Sequence, residues 1–453
     1  MSTLQVGEEI AEGSLEGLES RCLSASEGSS EFECPSAHVE TSEASGPSVG
    51  SRVLAWVKSN AVLSVACVFA LLSCIAVPPD GAYLGYVDVK TIACLFSILA
   101  VVGAMRNLGV FQYGAKKIIS RFNTCRAAVC ALVGVTLVIS MVATNDMALI
   151  MMLPLSAATL ITAGWSKAIP FTFVMQNLAA NLGGMILPFG NPQNLYLFEY
   201  FGIELDQFLM TMLMPFALSV VLIAVCCYAL SQPVPAAASS IKSGKAPNYR
   251  IRSKKEATQH RFMQLDGRTK RRASALVYAA LMLLVILSVF RIVPYALAAF
   301  VVVVVLAVMD RKAIQTLDYG LLLTFFFFFI FAGNMSRIPA VDVFLSGLMT
   351  EWPLFTSAGL SQVISNVPAA VLLSHFAESW NALLVGVNIG GAGTIVGSLA
   401  SLITLQHYRA IRADIPEGSE GGMSTPRYIG YMTLYNMAFL IVLLVACCLW
   451  GGF

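Results

Sequence analysis

The chain has 453 residues, 57% hydrophobic and only 12% charged, with a formal net charge of +2. A soluble globular protein of this size is excluded by that composition, which is typical of a multi-span membrane protein. Near-neutral charge gives no reason to expect a nucleic-acid partner, and the eleven Cys, most of them inside apolar runs, show neither a disulfide framework nor metal-ligand spacing.

Residues 1–50 hold ten Glu and a single basic residue, Arg21, among Ser, Gly and Ala. Such a segment cannot bury a core, so 1–58 is expected to be a disordered, acidic, cytoplasmic tail. No signal peptide is visible, and the first apolar run begins near Ala61. About 20 apolar residues cross a bilayer as a helix. Runs near that length fall at 60–78, 91–109, 127–145, 146–164, 169–197, 208–230, 275–290, 293–309, 317–336, 355–375, 380–405 and 429–450.

The runs 127–145 and 146–164 flank a polar tip, Ala143-Thr144-Asn145-Asp146. Together they predict a hairpin over 127–164, although two full spans satisfy the same flanking charges. Asp146 is the only acid expected deep in the membrane, and an ionisable residue there is a functional hypothesis by default. It is read as holding Na⁺ or carrying H⁺, against the alternative of an N-cap for the return arm.

The run 169–197 contains NLAANLGGMILPFGNPQN at 177–194. A continuous membrane helix has no use for Gly183, Gly184, Pro188, Gly190 and Pro192 beside Asn181, Asn191, Gln193 and Asn194. Broken backbone survives in hydrocarbon only where it lines a protein cavity. A helix that unwinds at mid-depth is therefore predicted, with its amides facing a polar solute. Gly183 and Gly184 alone would also fit close packing on a neighbour.

Segment 231–272 carries eleven basic residues against Glu256 and Asp266, so it should be a cytoplasmic loop. It divides the chain into halves at 59–230 and 273–453. The second half repeats the pattern of the first. Its hairpin, 355–375, has the tip Ile364-Ser365-Asn366-Val367-Pro368, and its broken helix, 380–405, carries Asn388, Gly390, Gly391, Gly393, Thr394, Gly397 and Ser398. Aligning Asn181-Leu182-Gly183-Gly184 with Asn388-Ile389-Gly390-Gly391 also brings Gly190 onto Gly397 and sets Asn191 opposite Ser398. Walking the positive-inside rule outward puts the N-terminus inside and the C-terminus outside, with the two hairpins in opposite orientation. Matched interruptions in two oppositely oriented halves point to a transporter site between repeats.

Thr144, Asn145, Asn181, Ser365, Asn366 and Asn388 would then ring the site with neutral donors and acceptors, and Asn145, Asp146 and Asn366 would hold the coupling ion. His375 and Glu378 read as a solvated rim or a gate. Arg337 reads as snorkelling at the end of its span, and 325–329 as an apolar lipid or packing face.

At 144–154 (TNDMALIMMLP), 180–195 (ANLGGMILPFGNPQNL), 365–373 (SNVPAAVLL) and 387–401 (VNIGGAGTIVGSLAS) the chain resembles the ion transporter superfamily, in particular its citrate-transporter-like members and anion permeases, including the divalent anion:sodium symporters and arsenite permeases. The resemblance covers about 60–450. It implies an all-α polytopic membrane protein of two inverted repeats. Each repeat would give scaffold helices and a mobile unit, a re-entrant hairpin plus a broken helix, that slides as an elevator, usually in a homodimer. The dicarboxylate carriers have Ser-Asn-Thr at each tip; this chain has Thr144-Asn145-Asp146 and Ser365-Asn366-Val367, the first closer to the arsenite permease arrangement.

The expectation is a secondary transporter in the inner or plasma membrane, carrying a small anion driven by Na⁺ or H⁺, with no other cofactor and no enzymatic role. A Na⁺/H⁺ antiporter, an arsenite-type efflux permease and a channel are the competing readings.

Overall fold

Helices form along the apolar runs and stop where the chain supplies caps or breakers. The computed structural model describes residues 61–111, 113, 122–234, 268–412 and 422–451. The acidic tail and most of the basic loop lie outside the described residues. Within them are seventeen α-helices and no extended strand. The first half contains α1 (Ala61–Ala76), α2 (Val89–Leu108), α3 (Cys125–Ala143), α4 (Asn145–Thr162), α5 (Ile169–Gly183), α6 (Pro192–Tyr200) and α7 (Leu205–Leu230). After the basic loop come α8 (Arg268–Val289), α9 (Tyr295–Met309), α10 (Arg311–Gln315), α11 (Tyr319–Met335), α12 (Pro339–Glu351), α13 (Pro353–Ile364), α14 (Asn366–Leu373), α15 (Trp380–Gly390), α16 (Leu399–Arg412) and α17 (Thr425–Trp450).

The caps follow from side-chain chemistry. Asp88 accepts from the backbone N–H groups of Lys90 and Thr91 to start α2, and left-handed Gly109 (φ 72°) ends it. Pro192 opens α6 and Pro353 opens α13, where a missing N–H costs nothing. By length and composition α2, α3, α4, α7, most of α8, and α17 can each cross a membrane.

The two hairpins differ in reach. The first has arms of 19 and 18 residues, both of spanning length. The second has arms of only 12 and 8 residues, about 18 Å and about 12 Å at 1.5 Å per residue. Its first arm starts at Pro353, two residues ahead of the predicted run. Preceding it is a helix that the apolar runs do not predict, α12, bent by 100° from α11.

Packing is reciprocal. In the first half α5 lies against α3 and α4, and in the second α15 lies against α13 and α14. Each break then sends its second arm across: α6 packs on α14 and α15, while α16 packs on α4 and α5. Every residue of α5 except Phe171 is buried. A helix buried all round needs internal partners for its amides. Gln176 Nε2 finds them by donating to Thr136 Oγ1 on α3 and to Ser156 Oγ on α4, both at 2.8 Å.

The fold corrects the expectation for Arg337 and sharpens two others. Arg337 does not snorkel: its guanidinium grips Asp80 through bonds of 3.0 and 2.7 Å and Tyr86 Oη at 3.0 Å. His375 is half-buried with its Nδ1 3.5 Å from Tyr200 Oη, whereas Glu378 is exposed as a rim residue should be. In 325–329, Phe325, Phe328 and Phe329 are buried while Phe326 stays exposed, so the run serves both core and outer surface.

Candidate functional site

Both hairpin tips turn through the same unusual backbone. Thr144 has φ 63° and ψ 152°, and Ser365 has φ 77° and ψ 155°. With Arg291 they are the only non-glycine residues of positive φ among the described residues. Such conformations cost of order 1–3 kcal/mol each and persist where surrounding structure enforces them. Here the turn starts α4 at Asn145 and α14 at Asn366. Neither Thr144 nor Ser365 makes a side-chain cap bond. Asp146 does not cap either: it lies in the first turn of α4.

The breaks are held open by amides. α5 ends at Gly183, passes through a single 3-10 turn at Gly184–Ile186, and α6 restarts at Pro192. Asn194 Nδ2 lies within bonding distance of the carbonyls of Gly184 (3.4 Å), Met185 (3.0 Å) and Leu187 (3.2 Å), which the helix has abandoned. Asn191 Nδ2 donates to the carbonyl of Asn181 at 3.3 Å. In the second half α15 ends at Gly390 and α16 starts at Leu399.

The two breaks meet. Asn388 Nδ2 donates to Asn194 Oδ1 at 2.6 Å, while Asn388 Oδ1 accepts from Asn191 at 3.4 Å and Gln193 at 3.3 Å. Ser398 Oγ donates to Asn181 Oδ1 at 2.8 Å, and Asn145 Nδ2 reaches the same oxygen at 3.1 Å. Asn177 Nδ2 donates to Ser401 Oγ at 3.2 Å. The four expected asparagines do not bond to one another in a ring; Asn191 bridges the Asn181 carbonyl and Asn388. Asn145 joins Asn181, and Asn388 joins 191–194. Asn366 bonds to neither, because its Oδ1 accepts from the N–H of Val367 at 2.9 Å.

A cavity of about 40 Å³ has as its polar lining Asn145, Asp146, Gln193, Thr324, Ser365, Asn366 and Ser398, while Asn181, Asn191, Asn194 and Asn388 are not among the residues of its wall. It has room for a bare ion or a few waters, against several hundred Å³ for an ordinary small-molecule pocket. The Asp146 carboxylate is the only formal charge in its wall, yet four helices begin there: Asn145 and Asp146 open α4, Pro192 and Gln193 open α6, Asn366 and Val367 open α14, and Leu399 opens α16. Each helix N-terminus presents about half a positive charge and unpaired N–H groups. Within the described residues, three residues of this wall carry a buried acceptor without a hydrogen-bond partner: Asn145 Oδ1, Asp146 Oδ1 and Gln193 Oε1. A larger cleft of about 210 Å³ beside Glu351, Trp352 and Gly451 has no comparable convergence of polar groups.

None of the predicted glycines adopts a left-handed conformation; they serve close approach. A Cβ on Gly183 would stand 2.5 Å from Ser140 Oγ, and one on Gly390 2.8 Å from Ser361 Cβ, so these two allow each broken helix to touch its hairpin. Gly184 and Gly190 face each other across the first break. Gly391 makes room for Asn366, while Gly393 and Gly397 make room for Gln362. Thr394 lies outside the cavity wall, its Oγ1 donating to the carbonyl of Gln362 at 3.1 Å.

Some contacts escaped the sequence reading. Gln362 is one. Tyr196 Oη against Ser374 Oγ, at 2.7 Å, ties α6 to the second hairpin. Glu199, whose side chain is 1% exposed, is ion-paired to Lys90 and Arg291. An acid in an otherwise uncharged helix was the available signal for Glu199.

Comparison with known proteins decides the family. The sequence model of the citrate transporter family matches residues 53–385, well over half of the chain. The chain belongs to the citrate transporter family. The match takes in the first break and both tips of this family member; the second break, from Asn388, lies just beyond it. This transporter is 31% identical over 325 residues to an uncharacterized transporter of Methanocaldococcus jannaschii, covering 71% of the chain and 81% of that protein. It is 29% identical over 330 residues to the inner membrane protein YbiR of Escherichia coli, covering 71% of the chain and 80% of YbiR. With its long apolar helices, this family member is a multi-pass membrane transport protein.

Proposed function

We propose that the cavity is the transport site of a secondary carrier that moves a small anion, of citrate or dicarboxylate type or an inorganic oxyanion, together with Na⁺ or H⁺. The observation that carries this reading is the meeting of four helix N-termini from both halves at one small cavity. Their dipoles favour an anion without any Lys or Arg in the wall. The partnerless acceptors, with the Asp146 carboxylate among them, favour a cation entering beside that anion. Substrate binding is assigned to Asn145, Asn181, Asn366 and Asn388 with the break residues around them, and ion coupling to Asp146, Asn145 and Asn366.

Two matching tip conformations and the reciprocal packing of α6 and α16 support two inverted repeats. A cavity too small for an organic anion supports alternating access, with each mobile unit sliding as an elevator, and the resemblance to anion permeases supports a homodimer. The Lys and Arg distribution supports an inner or plasma membrane location, with the N-terminus cytoplasmic and the C-terminus outside. A thermal-shift screen of purified protein against citrate, dicarboxylates, sulfate, phosphate, arsenite and Na⁺ tests the reading. It expects one anion class to stabilise, more strongly with the coupling cation present; no response to any anion would remove it.

A second reading, a Na⁺/H⁺ antiporter, is favoured by the lone carboxylate in a wall without basic side chains. Proton flux on a Na⁺ jump in liposomes free of transportable anion would support it over anion transport.

A further inference from the structure

In the second half the tip and the break are joined by an amide from neither, and the first half has no counterpart. Gln362 lies on α13, three residues before the tip residue Ser365. Its Nε2 donates to the carbonyl of Gly390 and, within its own helix, to that of Ala358, both at 2.8 Å, and its Oε1 accepts from the N–H of Thr394 at 2.7 Å. Its own carbonyl accepts from Thr394 Oγ1 at 3.1 Å, and that hydroxyl in turn accepts from the N–H of Gly397 at 3.1 Å. One glutamine thus satisfies the last carbonyl of α15 and orders the turn that follows. Glycine at 393 and 397 leaves the space: a Cβ on Gly397 would stand 3.2 Å from Gln362 Oε1. Two further bonds close the joint, from Asn366 N to the carbonyl of Gly397 at 3.0 Å and from Ser365 Oγ to the same oxygen at 3.4 Å.

The first half is built otherwise. The residue three before Thr144 is Met141, which has no amide. The stranded carbonyls of the first break are served by Asn194, from within that break. Among the described residues, tip 1 itself meets the broken helix through the bond from Asn145 to Asn181, and the arms behind it through Ser140 to the carbonyl of Ala179 and Gln176 to Thr136 and Ser156, none of which reaches the break.

We propose that Gln362 is a positioning residue: it straps the second tip to the second break, so that Ser365, Asn366 and 390–398 form one preformed half of the anion site and move as a body. The first tip carries no such strap and adjusts independently. This rests on the reading of the cavity as the transport site.

The test uses the full chain in lipid nanodiscs and proteoliposomes. In hydrogen–deuterium exchange, Gln362→Met is expected to speed exchange across 363–368 and 391–398 by about tenfold, leaving 184–191 unchanged. With citrate as the probe, the same variant is expected to raise KM about tenfold with little change in Vmax, because the half-site is no longer held ready. Gln362→Glu discriminates strap from filler. Protonated, its carboxyl has one O–H, which can donate to Gly390 while the other oxygen accepts from Thr394, leaving only the Ala358 carbonyl unserved; ionised, it cannot donate. Its KM relative to wild type should therefore approach one near about pH 5.5 and rise toward about pH 8.

Exchange at 391–398 that ignores Gln362→Met, exchange that rises equally at 184–191, or a Gln362→Glu ratio flat with pH overturns the proposal. Where Gln362→Met does not fold, exchange of Gln362→Glu at the two pH values carries the test. Wild-type protein that fails to take up citrate while exchange behaves as described would remove the citrate reading and leave the strap standing.

Discussion

Asn388 and Asn194, 194 residues apart in sequence, are joined by a hydrogen bond of 2.6 Å, from Nδ2 of the first to Oδ1 of the second. That bond links the two helix breaks to each other. Asn388 also accepts from Asn191 and Gln193 and donates to the carbonyl of Leu384 at 2.8 Å. Truncating it leaves several buried polar groups without partners. Asn388→Ala is expected to cost about 2–3 kcal/mol, read as a lower unfolding midpoint in a fixed detergent. An unchanged midpoint would mean that the two breaks are held together by something else.

Asp146→Asn keeps the shape of the side chain and removes its charge. Since Asp146 Oδ1 has no hydrogen-bond partner among the described residues, the fold loses little. Uptake should lose its dependence on the coupling ion, falling at least about tenfold under a Na⁺ or pH gradient. Uptake with the same Na⁺ and pH dependence as wild type would remove Asp146 from coupling.

Glycine substitutions separate close approach from flexibility. Gly390→Ala forces a methyl group against Ser361, and Gly184→Ala forces one against Asn191. Each should destabilise by about 1–3 kcal/mol. Gly134 and Gly359 lie in α3 and α13, where a Cβ meets nothing within 4 Å. Alanine there is expected to be neutral or to stabilise by up to about 1 kcal/mol. Thermal unfolding of the four variants side by side checks the contrast; equal losses at all four would show that the glycines are not close-approach sites.

The Asp80–Arg337 pair carries a pH prediction outside the membrane spans. The guanidinium hydrogen-bonded to Asp80 holds its carboxyl below the ordinary 3.8. A depressed carboxyl contributes stability that is fully present above its unfolded value and lost as pH falls through the folded one. Acidification from about pH 5 to about pH 3 should therefore weaken the link between the α1–α2 connection and the end of α11. The pair is solvent-exposed, with side chains 45% and 39% accessible, so the effect should be small and shrink with salt. Comparing unfolding midpoints of wild type and Asp80→Asn over that range checks it: the two should converge at the acid end, and a constant gap would contradict it.

The breaks and tips were legible because each violates a rule of membrane helices locally, with Pro, Gly and Asn in apolar sequence at 143–146, 183–194, 364–368 and 388–398. The partners were not, because they are distant. Arg337 reads as a snorkelling cation until Asp80, 257 residues earlier, is folded beside it. Gln362 is a single amide in an apolar arm, and only the fold shows that Gly393 and Gly397 are small on its behalf. The helix Pro339–Glu351 is not legible as a span because its 13 residues are too few to cross a bilayer. Of the four asparagines expected around the site, Asn145 and Asn366 line the cavity, whereas Asn181 and Asn388 bond to the breaks beside it.

Uptake by variants from opposite halves tests the shared site most directly. In proteoliposomes with an imposed Na⁺ or pH gradient, the anion that most stabilises the purified protein should accumulate saturably with wild type. Asn145→Ala, at the first tip, and Asn366→Ala, at the second, should each lower its Vmax/KM by at least about tenfold. Wild-type uptake persisting in either variant would contradict a single site built from both halves.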